Sequence, residues 1–373
     1  MITMSATMTR RGCPLDAMRV RVYRIPTKDA IESDGTAQWN ATTLVLVELH
    51  AGGHSGLGYT FADDATASVI HRELRPVIEN ADVLETGKRF AEMQAAIRNM
   101  GRDGISSMAI SAVDIALWDL KGKLLDAPVC TLLGAARAAV PVYGSGGFTS
   151  YSIDELCEQL AGWVHAGIPR VKMKVGRDPA SDIERVRRAR AAIGEDAELF
   201  VDANGAYSRK QALAFAEAFA RSRVSWFEEP VYHQDFEGLT QIRERAPAGM
   251  DVSAGEYGYG LYHFWRMLQA QTVDCLQADA TRCGGFSGLL AVDGLCQTAM
   301  TPLSTHCAPH VHLHAAIACK ALRHSEYFYD HVRIERMFFD GASDPVDGAL
   351  EPDLNRPGIG LDLRRADAER YEQ

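Results

Sequence analysis

The strongest constraint on this chain is a rhythm in its second half. From about residue 140, short apolar runs alternate with amphipathic helical patterns, the sequence signature of βαβ units and a parallel sheet. The runs PRVKMKV, AELFVDANG, VSWFEEP, MDVSAGE, VDCLQADA and PLSTH carry polar residues at their ends: Lys174, Asp202, Glu228, Glu256, Asp279 and His306, followed by Glu326. Their successive spacings are 28, 26, 28, 23, 27 and 20 residues, each close to the roughly 30 residues of one strand plus one crossover helix. If the strands close into a barrel, their C-terminal ends share one face, where such folds build active sites. Strands buried on both faces should be almost wholly apolar, so packing alone gives no reason for an ionisable group at every end.

At 373 residues the chain exceeds the usual size of one core and predicts a large domain plus a smaller one. Residues 1–17 read as a disordered leader and 18–138 as an α+β domain. There MRVRVYRI and TTLVLVELH predict an antiparallel sheet, and ISAVDIALWDLKGKLL has apolar residues at helical spacing. The barrel is expected over 139–335, and 336–373 as a C-terminal segment that packs back on the first domain.

The formal net charge of -10 disfavours nucleic acid as a partner, because phosphate binding needs clustered basic charge. No stretch is apolar for the roughly 18 residues of a membrane span, and the first residues lack a secretory apolar core. The eight cysteines are scattered without a Cys-x-x-Cys pair and read as reduced thiols, so the expected location is cytoplasmic.

Asp202, Glu228 and Glu256 end three consecutive strands and should meet in the barrel mouth. Three converging carboxylates repel unless a cation neutralises them, and an all-oxygen set suits Mg²⁺ better than zinc. Glu229 is expected on the other side of its strand, as a packing or ion-pair residue. Lys172 and Lys174, two apart, face one way. Mutual repulsion is expected to lower their pKa values and make Lys174 a general base, with Lys172 tuning it and touching the substrate. Asp279 is placed to orient His306 as a second acid/base group on the opposite side. His310, His312 and His314 are spaced by two on a helix, share no face and are read as structural. GSGGF and CGGFSG lack phosphate-loop signatures and are read as tight loops.

Taken together, VKMKVG, VDANG, WFEEPV, AGEYG, QADATRCGG, STH and HSEYF resemble, in order and spacing, the mandelate racemase subgroup of the enolase superfamily. ISAVDIALWDLKGK and the sheet-rich N-terminus extend the resemblance to nearly the whole chain. It implies a modified (β/α)7β TIM-type barrel under an α+β N-terminal capping domain. It also implies Asp202, Glu228 and Glu256 as Mg²⁺ ligands, Lys174 and the His306–Asp279 dyad as the acid/base groups, and Glu326 as a protonated donor to the substrate carboxylate. Lys172, Asn204 and Ser145 match substrate-contacting or metal-proximal positions. A homo-oligomer, such as an octamer, is a further implication of the resemblance. The loop from Ile25 to Asn40 corresponds to a closing flap, with Tyr59, Thr60 and Phe61 nearby. Its Lys28, Asp29, Glu32, Asp34 and Trp39 favour a polyhydroxylated substrate.

The leading expectation is an acid-sugar dehydratase that removes the proton next to a carboxylate and expels the 3-hydroxyl, leaving a 2-keto-3-deoxy acid. A racemase or epimerase of a 2-hydroxy acid is the alternative. A non-catalytic carboxylate- or sugar-binding protein is more remote, since no acid/base residue is missing. The Asp279–His306 dyad disfavours muconate-type cycloisomerase chemistry, which places a lysine on the sixth strand.

Overall fold

The structure, a computed structural model, describes residues 12–28 and 30–373. Eight parallel strands form the barrel: β1 Val140–Gly146, β2 Arg170–Lys174, β3 Glu198–Asp202, β4 Val224–Glu228, β5 Asp251–Ala254, β6 Cys275–Ala278, β7 Leu303–Thr305 and β8 Leu322–Phe328. Each pairs with its neighbour, and β8 returns to β1 to close the ring. Seven helices link them, among them α1 Ile153–His165 after β1 and α2 Pro179–Ile193 after β2. After β6 and β7 come α3 Gly285–Ala299 and α4 Pro309–Ala318, and a further helix, α5 Tyr329–Phe338, follows β8. The expected barrel is thus present, with strand register that sets Lys174 beside Asp202 and Asp202 beside Glu228 in one cross-strand row.

Below this row the barrel interior is plugged by Tyr143, Phe200, Trp226 and Cys275, all fully buried. The rings of Phe200 and Trp226 stack 5.3 Å apart. An apolar, close-packed plug of this kind leaves the charged layer open on the C-terminal face alone.

The capping domain is a three-stranded antiparallel sheet, Ala17–Pro26, Ala41–Ala51 and His54–Phe61, covered by the helix Ile105–Leu124. Close approach of helix to sheet depends on Gly56 and Gly58. A Cβ on either would lie 2.4 Å from Leu120 N or 2.2 Å from Ala112 O, inside any allowed contact. The helix also carries two buried carboxylates that tie the molecule together. Asp114 accepts from the Ser287 N–H and hydroxyl at the start of α3. Asp119 accepts from Leu57 N, Ile359 N and Lys123 Nζ. The C-terminal segment touches both parts: Ala349–Leu350 pairs antiparallel with barrel strand β1, and further on Arg365 pairs with Glu48 and Arg21 with Glu372 at 2.9 Å on the capping sheet.

Of the predicted leader, residues 1–11 lie outside the described part. Residues 12–17 are anchored: Cys13 N donates to Asp82 Oδ1, Leu15 N to Ala81 O and Asp16 N to His50 O. Among the described residues no helix is long and apolar enough to cross a membrane. None of the eight cysteines is in a disulfide.

Candidate active site

Every barrel strand delivers a polar side chain to the same end. Asp202 and Glu228 are the last residues of β3 and β4, and Glu256 lies two residues beyond β5. One carboxylate oxygen of each lies within 4.8 Å of the other two, and all three side chains are buried. Asn204, held in the left-handed region at φ +46°, turns back so that its backbone N–H donates to Asp202 Oδ1 at 2.9 Å and its amide Nδ2 to Oδ2 at 3.3 Å. Trp226 Nε1 donates to Glu228 Oε2 at 2.9 Å.

The triad fits a divalent cation on two grounds. Glu256 Oε2 is buried with no hydrogen-bond partner. Six carboxyl groups crowd the mouth (Asp202, Glu228, Glu229, Glu256, Asp279, Glu326) against three cations (Lys172, Lys174, Arg282), all largely buried. That leaves up to three negative charges uncompensated, and burial with the Asp202 charge pushes Glu228 up to about 8. An all-oxygen, partly neutralised site of this kind suits magnesium.

Lys174 Nζ donates to Asp202 Oδ2 at 2.5 Å. Lys172 pairs with Glu228, with Glu326 Oε1 at 2.8 Å and with Asp202 at 3.5 Å. Burial opposes both ammonium charges, but the surrounding carboxylates outweigh it and hold both lysines above their ordinary values. The expected mutual lowering is therefore not what this arrangement produces: three carboxylates overrule one neighbouring ammonium.

Glu326 corrects a second expectation. Its carboxylate accepts from Ser145 Oγ at 2.5 Å, from Cys307 N at 2.8 Å and from Lys172. Burial favours its neutral form, yet Lys172, His306 and Lys174 hold it well below the usual carboxylate range. In this arrangement it is an ionised acceptor, and Ser145 is its partner. Glu229 is the third correction. It is buried, makes no ion pair among the described residues, and leaves Oε1 without a partner. Burial and the Glu256 charge push it far upward, which places it beside the acidic cluster.

On the opposite side of the triad, His306 lies just past β7. Its Nδ1 meets Asp279 Oδ2 at 2.9 Å, and its Nε2 is 3.4 Å from Glu256 Oε2. Asp279 Oδ1 accepts the Thr281 N–H at 2.7 Å and hydroxyl at 2.8 Å. Burial works against the Asp279 charge, but the bond from His306 and the nearby His312 and Arg282 hold its carboxyl well below the ordinary range. An ionised Asp279 fixes the His306 proton on Nδ1 and leaves Nε2, which meets Cys307 Sγ at 3.2 Å, as the unprotonated nitrogen. His310, His312 and His314 are buried: His310 meets Glu335, His312 Nε2 accepts from Ala280 N and lies 3.5 Å from Asp279 Oδ1, and His314 accepts from Cys130 N.

Sequence reasoning passed over Arg282. It lies three residues beyond Asp279 within QADATRCGG, and bridges Glu256 O at 3.0 Å and Asp279 Oδ2 at 3.6 Å. Cys307 and His331 were also missed, for lack of any spacing signal. The predicted flap lies on the barrel mouth as the hairpin Glu32–Ser33 and Gln38–Trp39; Asp29 lies outside the described residues. A cavity of about 360 Å³ opens beside the dyad, lined by Trp39, Phe61, Arg282, Phe328 and His331.

Comparison with known proteins agrees with this fold. Residues 17–134 match the mandelate racemase/muconate lactonizing enzyme N-terminal domain, and residues 155–368 match the enolase C-terminal domain-like family. A mandelate racemase/muconate lactonizing enzyme-like protein from Rubrobacter xylanophilus superposes with a TM-score of 0.94 at 54% identity, covering 96% of this chain and 100% of that one. The 3,6-anhydro-alpha-L-galactonate cycloisomerase of Streptomyces coelicolor is 29% identical over 94% of this chain and 98% of its own length. The L-talarate/galactarate dehydratase of Salmonella typhimurium is 31% identical over 74% of this chain and 70% of its own. Its crystal structure liganded with Mg and L-lyxarohydroxamate superposes with a TM-score of 0.89 at 26% identity, covering 100% of this chain and 96% of that one. The chain belongs to the mandelate racemase/muconate lactonizing enzyme family of the enolase superfamily.

Proposed function

We propose that the protein is a magnesium-dependent acid-sugar dehydratase. The observation that carries this reading is the bracketing of one carboxylate triad by two proton carriers, Lys174 beside Asp202 on one side and His306 beside Glu256 on the other. Asp202, Glu228 and Glu256 would hold the magnesium, whose positive charge stabilises the negative charge that develops on the substrate carboxylate.

Lys172 binds and orients that carboxylate, and Asn204 keeps Asp202 in place. One of the pair Lys174 and His306 removes the proton next to the carboxylate. The other delivers a proton to the departing 3-hydroxyl, and the substrate's configuration decides which does which. Asp279 supports the His306 imidazolium whenever it forms. Glu326, with Ser145 and Cys307 N as its donors, fixes Lys172 from below.

A relative named as a dehydratase and one named as a cycloisomerase both act on acid sugars by their names. The dyad therefore does not set aside cycloisomerisation of sugar acids. The same two-sided arrangement also suits racemisation. Incubation with a panel of aldonic and aldaric acids and magnesium is expected to yield a 2-keto-3-deoxy acid from at least one. Deuterium exchange at C2 without loss of water would establish the racemase reading instead, and no turnover and no exchange on any member would sink both.

A further inference from the structure

Beside the triad, three donors of different softness converge: His306 Nε2, Cys307 Sγ and a carboxylate oxygen of Glu326. All lie within 4.8 Å of one another on buried residues. Cys307 Sγ is 3.2 Å from His306 Nε2, and that nitrogen is 3.9 Å from Glu326 Oε2. We propose that these residues form a second metal site, selective for a thiophilic divalent ion such as zinc, which inhibits the enzyme by occupying the free nitrogen of His306.

Four features carry the proposal. The donor set of imidazole, thiol and carboxylate matches the ligands zinc prefers, whereas the neighbouring triad offers oxygen alone. The Asp279–His306 pair already has the carboxylate–histidine arrangement that fixes a metal-binding imidazole, with Nδ1 committed and Nε2 presented. The separations suit a tetrahedral ion: Zn–S and Zn–N bonds of about 2.3 and 2.0 Å put sulfur and nitrogen ~3.5 Å apart and nitrogen and oxygen ~3.3 Å apart. The observed 3.2 and 3.9 Å need only small side-chain adjustments.

Finally, Cys307 and Ala308 both adopt left-handed backbone conformations, φ +52° and +40°. This is an uncommon state for non-glycine residues, and it aims a thiol with no part in the proton transfers at the reacting nitrogen. Binding breaks the S–H bond and releases the proton to solvent. Thiolate and carboxylate then neutralise the ion, and a water fills the fourth position. The site does not depend on which acid sugar the enzyme takes, or on whether it is a dehydratase.

The test uses Co²⁺ as the probe on magnesium-saturated protein. The parent is expected to take up one equivalent with a thiolate-to-cobalt charge-transfer absorption, releasing one proton per ion. Cys307→Ser should lose that absorption and bind zinc about 10²-fold more weakly, with its magnesium affinity unchanged. An absorption that persists in Cys307→Ser, or none in the parent, overturns the proposal. Should Cys307→Ser not fold, cadmium NMR on the parent decides alone: a sulfur-ligated resonance supports the site, and oxygen-ligated resonances alone refute it.

Discussion

The two proposed proton carriers of the mouth are prepared in different ways. On the lysine side, every ion-pair partner of Lys172 and Lys174 among the described residues is a carboxylate that is itself a proposed metal ligand or is shared with the proposed substrate pocket. On the histidine side, His306 is aligned by Asp279, which is held in turn by Thr281 and Arg282. The histidine is therefore oriented before any ion arrives, whereas the lysines are freed only when a cation takes over Asp202 and Glu228. Preorganisation is local on one side and coupled to metal on the other.

The largest effects should come from the carriers themselves. His306→Asn and Lys174→Met are each expected to lower turnover by about 10³-fold, but with different consequences for the ion. Removing Lys174 removes a cation that competes for Asp202, so magnesium should bind more tightly to Lys174→Met and little differently to His306→Asn. Isothermal titration of magnesium into each variant measures this, and equal shifts in both would break the comparison. Asp279→Asn is expected to cost about 10² in turnover, because a neutral amide neither supports the imidazolium nor fixes the tautomer. Its magnesium affinity should match the parent.

Stability against pH gives a third contrast. Glu228 titrates near 8 in the folded chain, above the ~4.3 of an unfolded glutamate. Its folded form keeps a proton that the unfolded chain gives up, so the metal-free protein should lose stability as pH rises from about 5 to about 8. Asp114, raised to about 7 by burial at the interface between the domains, adds a loss of the same sign. Magnesium needs the ionised carboxylate and should cancel only the Glu228 part. The melting temperature measured with magnesium and with chelator should therefore diverge as pH increases. A constant gap would mean that Glu228 is not a ligand.

The barrel and the membership of the mouth were legible because spacing along the chain becomes position around a ring: every strand end maps to one face. Protonation was not legible, because it depends on how many opposite charges surround a group, and that is a property of the closed ring. The lysine pair looked self-repelling with only Lys172 and Lys174 in view; Asp202, Glu228 and Glu326 reverse the sign. The resemblance implies Glu326 as a proton donor, and Lys172, 2.8 Å away, makes it an acceptor. Glu229 failed for a geometric reason. Strand alternation should turn it away, but at φ +37° it has already left the strand. Arg282 carried a signal that spacing from Asp279 offered: in the turn after β6, three residues bring a side chain back toward its start.

The smallest predicted effect concerns the roof, which divides along the same line. Over the histidine side the capping sheet is fixed, with Thr60 Oγ1 donating to Thr281 O at 2.7 Å and Phe61 stacked on His331. Over the lysine side the cover is the hairpin, held by Arg177, three residues past Lys174. Its Nε and Nη2 donate to Asp34 O at 2.9 Å and Ala37 O at 2.6 Å, and Thr149 Oγ1 donates to Asp34 O at 2.8 Å. The two Arg177 bonds are exposed, so losing them costs about 1 kcal/mol. Arg177→Ala should raise KM about fivefold and leave kcat nearly unchanged, because the cover adds binding without touching the reacting atoms. Thr60→Val, on the fixed side, is expected to act on melting temperature and spare KM. If both variants raise KM alike, the roof closes as one piece and the division between the two sides stops at the barrel mouth.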